Sequence, residues 1–283
     1  MMRRSAWAYS AFSAGSLSLP RPMASCLAQR LADWQWSHAP DYRKSAACNL
    51  SLLLEKSPED CLPLAREVFR NFGKYLIEFF TMHQESFSSV AIEGKENFDQ
   101  LCRQKSGVIL LTAHLGNWEM GSAFLKSLSH PVSAVALEHR DFATQKLFVR
   151  QRLRANIPTM APGAKAIGAC LRWLKEGRWL GLLADRDFTG TGLKCAWGKA
   201  QIQIPKGPAV LSLRSQSPIA PVFFIRNSPG KFTLHVESLI RPAQRPSKNA
   251  PMQIIREYSD ILYRYIRRFP EQWLMFEPVL SRS

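Results

Sequence analysis

The sequence predicts a single α/β domain with a central mixed, mostly parallel sheet flanked by helices. Three observations predict it. Val108-Ile109-Leu110-Leu111 and Trp179 to Ala184 are short continuous apolar runs, as expected of strands buried on both faces. Apolar residues in the segments around them recur at intervals of three and four, the helical period. Strand, helix and strand follow one another three times, which right-handed crossovers fold into a parallel sheet. With 283 residues and 46% apolar side chains the chain can bury a large core, at the upper edge of one domain.

The elements follow in order. Met1 to Pro22 carries Arg3 and Arg4 ahead of AWAYSAFSAGSLSL, but it is too rich in serine to read as a signal peptide. No run of about 20 apolar residues marks a spanning helix. Leu27 to Trp36 mixes Leu27, Leu31, Trp34 and Trp36 with Arg30 and Asp33. That pattern suits an interfacial helix and a helix packed on the core equally well. Tyr42 to Glu55 and Ser57 to Met82 read as helices, the second starting at Ser57-Pro58-Glu59-Asp60. Its aromatic stripe of Phe69, Phe72, Phe79 and Phe80 reads as core, although an acyl-chain tunnel would be lined by the same residue types.

Ser88 to Glu93 is a strand and Lys95 to Cys102 a helix. Beyond the Val108 strand come a strand at Val132 to Leu137 and a helix at Asp141 to Asn156. A helix at Gly163 to Gly177 then leads to the Trp179 strand. Thr189-Gly190-Thr191-Gly192 reads as a flexible loop, Gln201 to Ile204 as a strand, and Pro205-Lys206-Gly207-Pro208 opens a helix to Arg214. Strands at Ile219 to Arg226 and Phe232 to Ile240 precede a long basic helix from Ala250 to Arg268.

The chemistry concentrates where the first buried strand ends. His114 follows Thr112-Ala113, Gly116 permits a tight turn, and Asn117 is a good N-cap for a helix beginning near Trp118. Ligands of open α/β sheets bind beyond the carboxyl ends of the strands, and a helix N-terminus offers amides to developing negative charge. His114 is therefore a candidate general base, with Glu119 in the first helical turn as the carboxylate that orients it. No G-x-S-x-G elbow accompanies them, so the histidine would act on a substrate hydroxyl or water. The Trp179 strand delivers Asp185 to the same edge.

Ala113-His114-Leu115-Gly116-Asn117-Trp118-Glu119 resembles the H-x-x-x-x-(D/E) signature of glycerolipid-type acyltransferases, in the form used by the bacterial lipid A late acyltransferases. Further matches run in order from Asn49-Leu50 through Arg152-Leu153-Arg154, Leu174-Lys175-Glu176-Gly177 and Asp185-Arg186-Asp187 to Pro270-Glu271-Gln272-Trp273. The resemblance implies a glycerolipid-acyltransferase-like fold, with residues 1–40 an N-terminal segment open to membrane association and 41–283 the acyltransferase domain. It implies transfer of a fatty acyl chain to a hydroxyl of a lipid A precursor or related glycolipid. The donor would be acyl carrier protein thioester or acyl-CoA, with no cofactor and no metal; the alternatives are an acyl-CoA-dependent lysophospholipid acyltransferase and a non-catalytic lipid- or carrier-binding protein of the same fold.

It also places Asn117, Arg152 or Arg154, and Asp185 in the substrate-binding set, without choosing between the two arginines. The residues that follow Trp273, Leu274-Met275-Phe276-Glu277-Pro278, depart from the family's aromatic and basic pattern.

The charge balance agrees with an anionic partner. The formal net charge is +16, spread through amphipathic segments and without any nucleic-acid-binding signature. Acyl carrier protein and anionic membrane lipids or a glycolipid acceptor are the expected partners, and nucleic acid is not. The six cysteines contain no C-x-x-C and read as free thiols of a reducing compartment. Peripheral or weakly anchored residence on the cytoplasmic face of the inner membrane follows as the expectation.

Overall fold

The two continuous apolar runs lie side by side as parallel neighbours, Val108 opposite Trp179 and Thr112 opposite Leu183. The computed structural model describes residues 19–136, 141–160, 164–245 and 247–282. Nearly all of the Met1–Pro22 segment lies outside them, as do Leu137 and Gly163, where a strand and a helix were expected to end and begin.

The helices are α1 (Arg21–His38), α2 (Pro40–Leu54), α3 (Leu62–Thr81), α4 (Lys95–Cys102), α5 (Trp118–Ser127), α6 (Phe142–Arg154), α7 (Ala164–Lys175), α8 (Gly207–Ser215) and α9 (Ala250–Arg268). The strands are β1 (Ala91–Glu93), β2 (Val108–Thr112), β3 (Val132–Val135), β4 (Thr159–Met160), β5 (Trp179–Leu183), β6 (Leu193–Trp197), β7 (Ala200–Ile204), β8 (Ile219–Ser228), β9 (Lys231–Val236) and β10 (Leu280–Arg282). Seven of them form one sheet in the order β1-β9-β8-β2-β5-β3-β4, and only the β8–β9 hairpin within it is antiparallel. The predicted fold class is the observed one.

Sequence patterning missed a small second sheet, the antiparallel β10-β7-β6. β6 alternates buried and exposed residues through Cys195 and Trp197, but the glycine- and threonine-rich stretch before it hides its start. A tight turn through Gly198, at φ 63, joins it to β7. β10 is held from afar: Asn49 of α2 accepts the Val279 and Leu280 N–H groups at 3.1 and 3.3 Å and donates to the Glu277 carbonyl at 2.7 Å. β9 ends at Val236, short of the expected Ile240, which instead bridges Ile219 singly.

α1 packs on the core through one face and leaves larger apolar residues on the other. Ala24, Ala28 and Ala32 are buried, and a Cβ at Gly73 of α3 would stand 3.0 Å from the Ala28 carbonyl, so small residues let the two helices approach closely. Its larger apolar residues, Met23, Leu27, Leu31 and Trp34, face outward, Trp34 at 61% exposure. Of the aromatic stripe on α3, Phe69, Phe79 and Phe80 are core as expected. Phe72 instead lines a cavity at the sheet's carboxyl edge.

After β2 the chain turns sharply at Gly116, with φ 64. A Cβ there would come within 2.2 Å of the Phe224 carbonyl, a group that already accepts the Asn117 N–H at 2.8 Å. Gly116→Ala is expected to lower the free energy of unfolding by at least about 2 kcal/mol, measured by urea titration, because backbone rather than a flexible side chain must move.

Candidate active site

Parallel register assembles the site. His114 lies two residues beyond Thr112 on β2, and Asp185 two residues beyond its partner Leu183 on β5, so both emerge in one row at the carboxyl edge. The Ala184 N–H, donating to the Thr112 carbonyl at 2.9 Å, extends the ladder between them.

His114 Nδ1 is 2.8 Å from Asp185 Oδ1, and the His114 backbone N–H donates to Asp185 Oδ2 at 3.0 Å. The indole Nε1–H of Trp273 donates to the same Oδ2 at 2.8 Å. Asp185 is fully buried, whereas the His114 side chain keeps 22% of its surface. Burial pushes the Asp185 carboxyl upward, but the charge of His114 and the hydrogen bonds from His114 and Trp273 outweigh it and hold the carboxyl below the usual range. An ionised Asp185 takes the Nδ1 proton as its donor, which leaves Nε2 as the imidazole's free lone pair.

Glu119 does not reach His114, which corrects the expectation that it orients the imidazole. One residue of helical rotation separates it from Trp118, and it is Trp118 whose ring meets His114, with centroids 5.2 Å apart. Glu119 turns instead toward α6, where both its oxygens accept from Arg152. Nε donates at 3.0 and 3.2 Å and Nη2 at 2.6 Å. Both residues are buried. Burial pulls the Arg152 guanidinium down, but the Glu119 charge and hydrogen bonds prevail and hold it above its ordinary value. The sequence could not choose between the two arginines of this helix; in the structure Arg152 is inside and Arg154 exposed.

Asn117 is also corrected, from substrate contact to scaffold. It is fully buried and both ends of its amide are engaged: Oδ1 caps the Met120 N–H at 3.0 Å, and Nδ2 donates to Glu78 at 2.7 Å. That link joins a network the sequence did not reveal. Arg226 donates to Glu78 and Asn71, and Gln272 brackets the Arg226 backbone. Each contact crosses tens to more than a hundred residues of chain, and no local pattern encodes such pairings.

His114 opens onto a cavity of about 530 Å³ whose apolar wall includes Phe72, Tyr75, Trp118, Leu182 and Leu183. Arg152, Arg186 and Lys206 supply positive charge to its lining. A smaller cavity of about 60 Å³ shares Trp118 and Arg152 with it and is lined further by Gly181, Ala134, Leu110 and Glu119. The larger volume falls in the range of roughly 300–1,000 Å³ common to ligand sites. A base with a free Nε2 on the wall of an apolar cavity can take a proton from a hydroxyl held beside a hydrocarbon chain.

The comparisons with known proteins place this chain among acyltransferases. A family model described as bacterial lipid A biosynthesis acyltransferase matches residues 1–282, and the chain belongs to that family. The phosphatidylinositol mannoside acyltransferase of Mycobacterium tuberculosis H37Rv is 23% identical over 226 residues, covering 76% of this chain and 70% of the relative. The lipid A biosynthesis palmitoleoyltransferase of Escherichia coli K12 is 23% identical over 265 residues, covering 91% and 85%. Among solved structures, the 1-acyl-sn-glycerophosphate acyltransferase of Thermotoga maritima aligns over 88% of this chain and 98% of its own, at 14% identity and a TM-score of 0.41.

Two outcomes test the site's electrostatics. Glu119→Ala leaves Arg152 buried without its carboxylate and should cost about 3–5 kcal/mol in urea unfolding, whereas Glu119→Leu with Arg152→Met should recover most of that loss. A carboxyl held low in the folded protein contributes stability above its unfolded value of about 3.9, and that contribution disappears as pH falls through the folded value. The wild-type protein should therefore lose stability more steeply below about pH 4 than Asp185→Asn, measured by urea titrations from pH 3 to 7.

Proposed function

We propose that this acyltransferase moves a fatty acyl chain from a thioester, carried by acyl carrier protein or coenzyme A, to a hydroxyl of a lipid A precursor or related glycolipid. The observation that carries the reading is the His114–Asp185 pair opening onto the large apolar cavity. His114 Nε2 takes the proton of the acceptor hydroxyl as its oxygen attacks the thioester carbonyl, and Asp185 holds the tautomer and stabilises the imidazolium. The tetrahedral intermediate collapses with cleavage of the carbon–sulfur bond. The imidazolium returns its proton to the thiolate, leaving an ester and a free thiol.

The remaining groups fit the same reaction. Arg152, locked by Glu119, is a fixed positive charge on the cavity wall toward an oxyanion or a phosphate. Arg186 and Lys206 extend that charge toward an anionic carrier or lipid headgroup. The cavity's hydrocarbon lining accommodates the acyl chain. Donor preference goes to acyl carrier protein, because a chain of net charge +16 attracts an acidic partner.

Among the described residues no helix is long and apolar enough to cross a membrane. The exposed Met23, Leu27, Leu31 and Trp34 of α1 support peripheral binding to the inner membrane as part of this reading.

The test is transfer of a radiolabelled acyl group from acyl carrier protein thioester, or from acyl-CoA, into a bacterial lipid extract. Wild-type protein should label a glycolipid, His114→Ala should label nothing, and Asp185→Asn should fall by roughly 10³–10⁴ in kcat, the loss typical of an imidazole held in the wrong tautomer. Undiminished labelling by His114→Ala would remove the general-base assignment. Label confined to diacyl phospholipid, the product of lysophospholipid acylation, would replace the glycolipid acceptor.

A further inference from the structure

Gln272 and Trp273 stand behind the reacting groups, yet their hydrogen bonds end on the segments that carry them. Gln272 Oε1 accepts the Arg226 N–H at 3.0 Å and its Nε2 donates to the Arg226 carbonyl at 2.9 Å. The Gln272 carbonyl accepts the Gly116 N–H at 3.0 Å, and the Leu274 N–H donates to the His114 carbonyl at 2.7 Å. Between these backbone clamps the Trp273 indole, 1% exposed, donates to Asp185 Oδ2.

We propose that Trp273 is a positioning residue: its indole N–H fixes the rotation of the Asp185 carboxylate and, through it, the imidazole of His114. This rests on the proposed role of His114. The terminal torsion of an aspartate is broad and roughly two-fold, so the side chain's own preferences do not set the carboxylate plane and its donors must. Two of the three donors to Asp185, Nδ1 and the backbone N–H, belong to His114, the residue to be positioned. Trp273 supplies the third from a rigid buried ring, on a segment that Gln272 also ties to the Arg226 backbone of β8.

The choice of side chain supports the assignment. Beyond its packing against Trp197, the indole adds a donor-only N–H, which supports the carboxylate without competing for the histidine's proton. By drawing charge from Oδ2, the N–H also moderates the pull of Asp185 on the imidazolium.

The test compares wild-type protein with Trp273→Phe and with benzothienylalanine at position 273, which keeps the two-ring shape and replaces N–H by sulfur. The first readout needs no turnover: the pH titration of the His114 ring nitrogens by ¹⁵N NMR, assigned through His114→Gln. Both variants should titrate at higher pH than the wild type, by about half a unit or more, because the carboxylate that loses a donor becomes more basic. The second readout is acyl transfer, where kcat should fall about tenfold or more with KM changed far less, as for a lost hydrogen bond to a charged group. On an Asp185→Asn background Trp273→Phe should change kcat by less than about twofold.

An unshifted His114 titration in the folded benzothienylalanine protein overturns the proposal, as does a full kcat loss that persists on the Asp185→Asn background. A shifted titration in a protein that transfers no acyl group upholds the positioning role and removes the reaction instead.

Discussion

A buried carboxylate is the constraint on which the rest of this structure depends. Asp185 has no exposed surface, and an ionised group at that depth persists only where donors surround it. Its donors come from two separate stretches of chain, the turn after β2 and the segment after α9. The β2–β5 register, the sharp turn at Gly116 and the return of the C-terminal segment beneath the sheet edge all serve that one requirement. In satisfying it the fold fixes a histidine by its Nδ1 and directs Nε2 toward the cavity.

Two further charge pairs, one buried and one partly buried, hold the frame around that pair. Glu119 and Arg152 tie the helix after His114 to α6 and leave a cation in the lining of both cavities. Glu78 and Arg226 join α3 to the end of β8, and Asn117 attaches the turn after β2 to α3 through Glu78 and to β8 through the Phe224 carbonyl. Such pairs add little net stability compared with apolar packing, but each penalises any arrangement that leaves one partner alone. They thereby favour one arrangement of helices around the cavity over others of similar apolar burial.

The motif residues were legible at different depths. His114, the strand before it and the helix cap at Asn117 are local features, written in an apolar run, a glycine and a capping residue within ten positions. Asp185 was visible as a second acid delivered to the same edge, though the partner of His114 was read as the nearer Glu119 in place of Asp185. Sequence spacing measures separation along a helix, and the direction a side chain takes around the axis decided otherwise. Trp273 was legible as a motif residue only. Its hydrogen bond to Asp185 spans 88 positions, and nothing within one helical turn or strand announces it.

The sequence by itself determined the α/β class, the parallel core strands and the candidate histidine, because periodicity and capping are written in neighbouring residues. It also determined the strong positive charge and the family to which the chain belongs. Tertiary structure alone decided which carboxylate pairs with which base, which arginine is buried, and that a second small sheet closes the fold. Those outcomes depend on burial, where a charge must find its partner across the chain, and the cost of leaving it unpaired exists only once the core has formed.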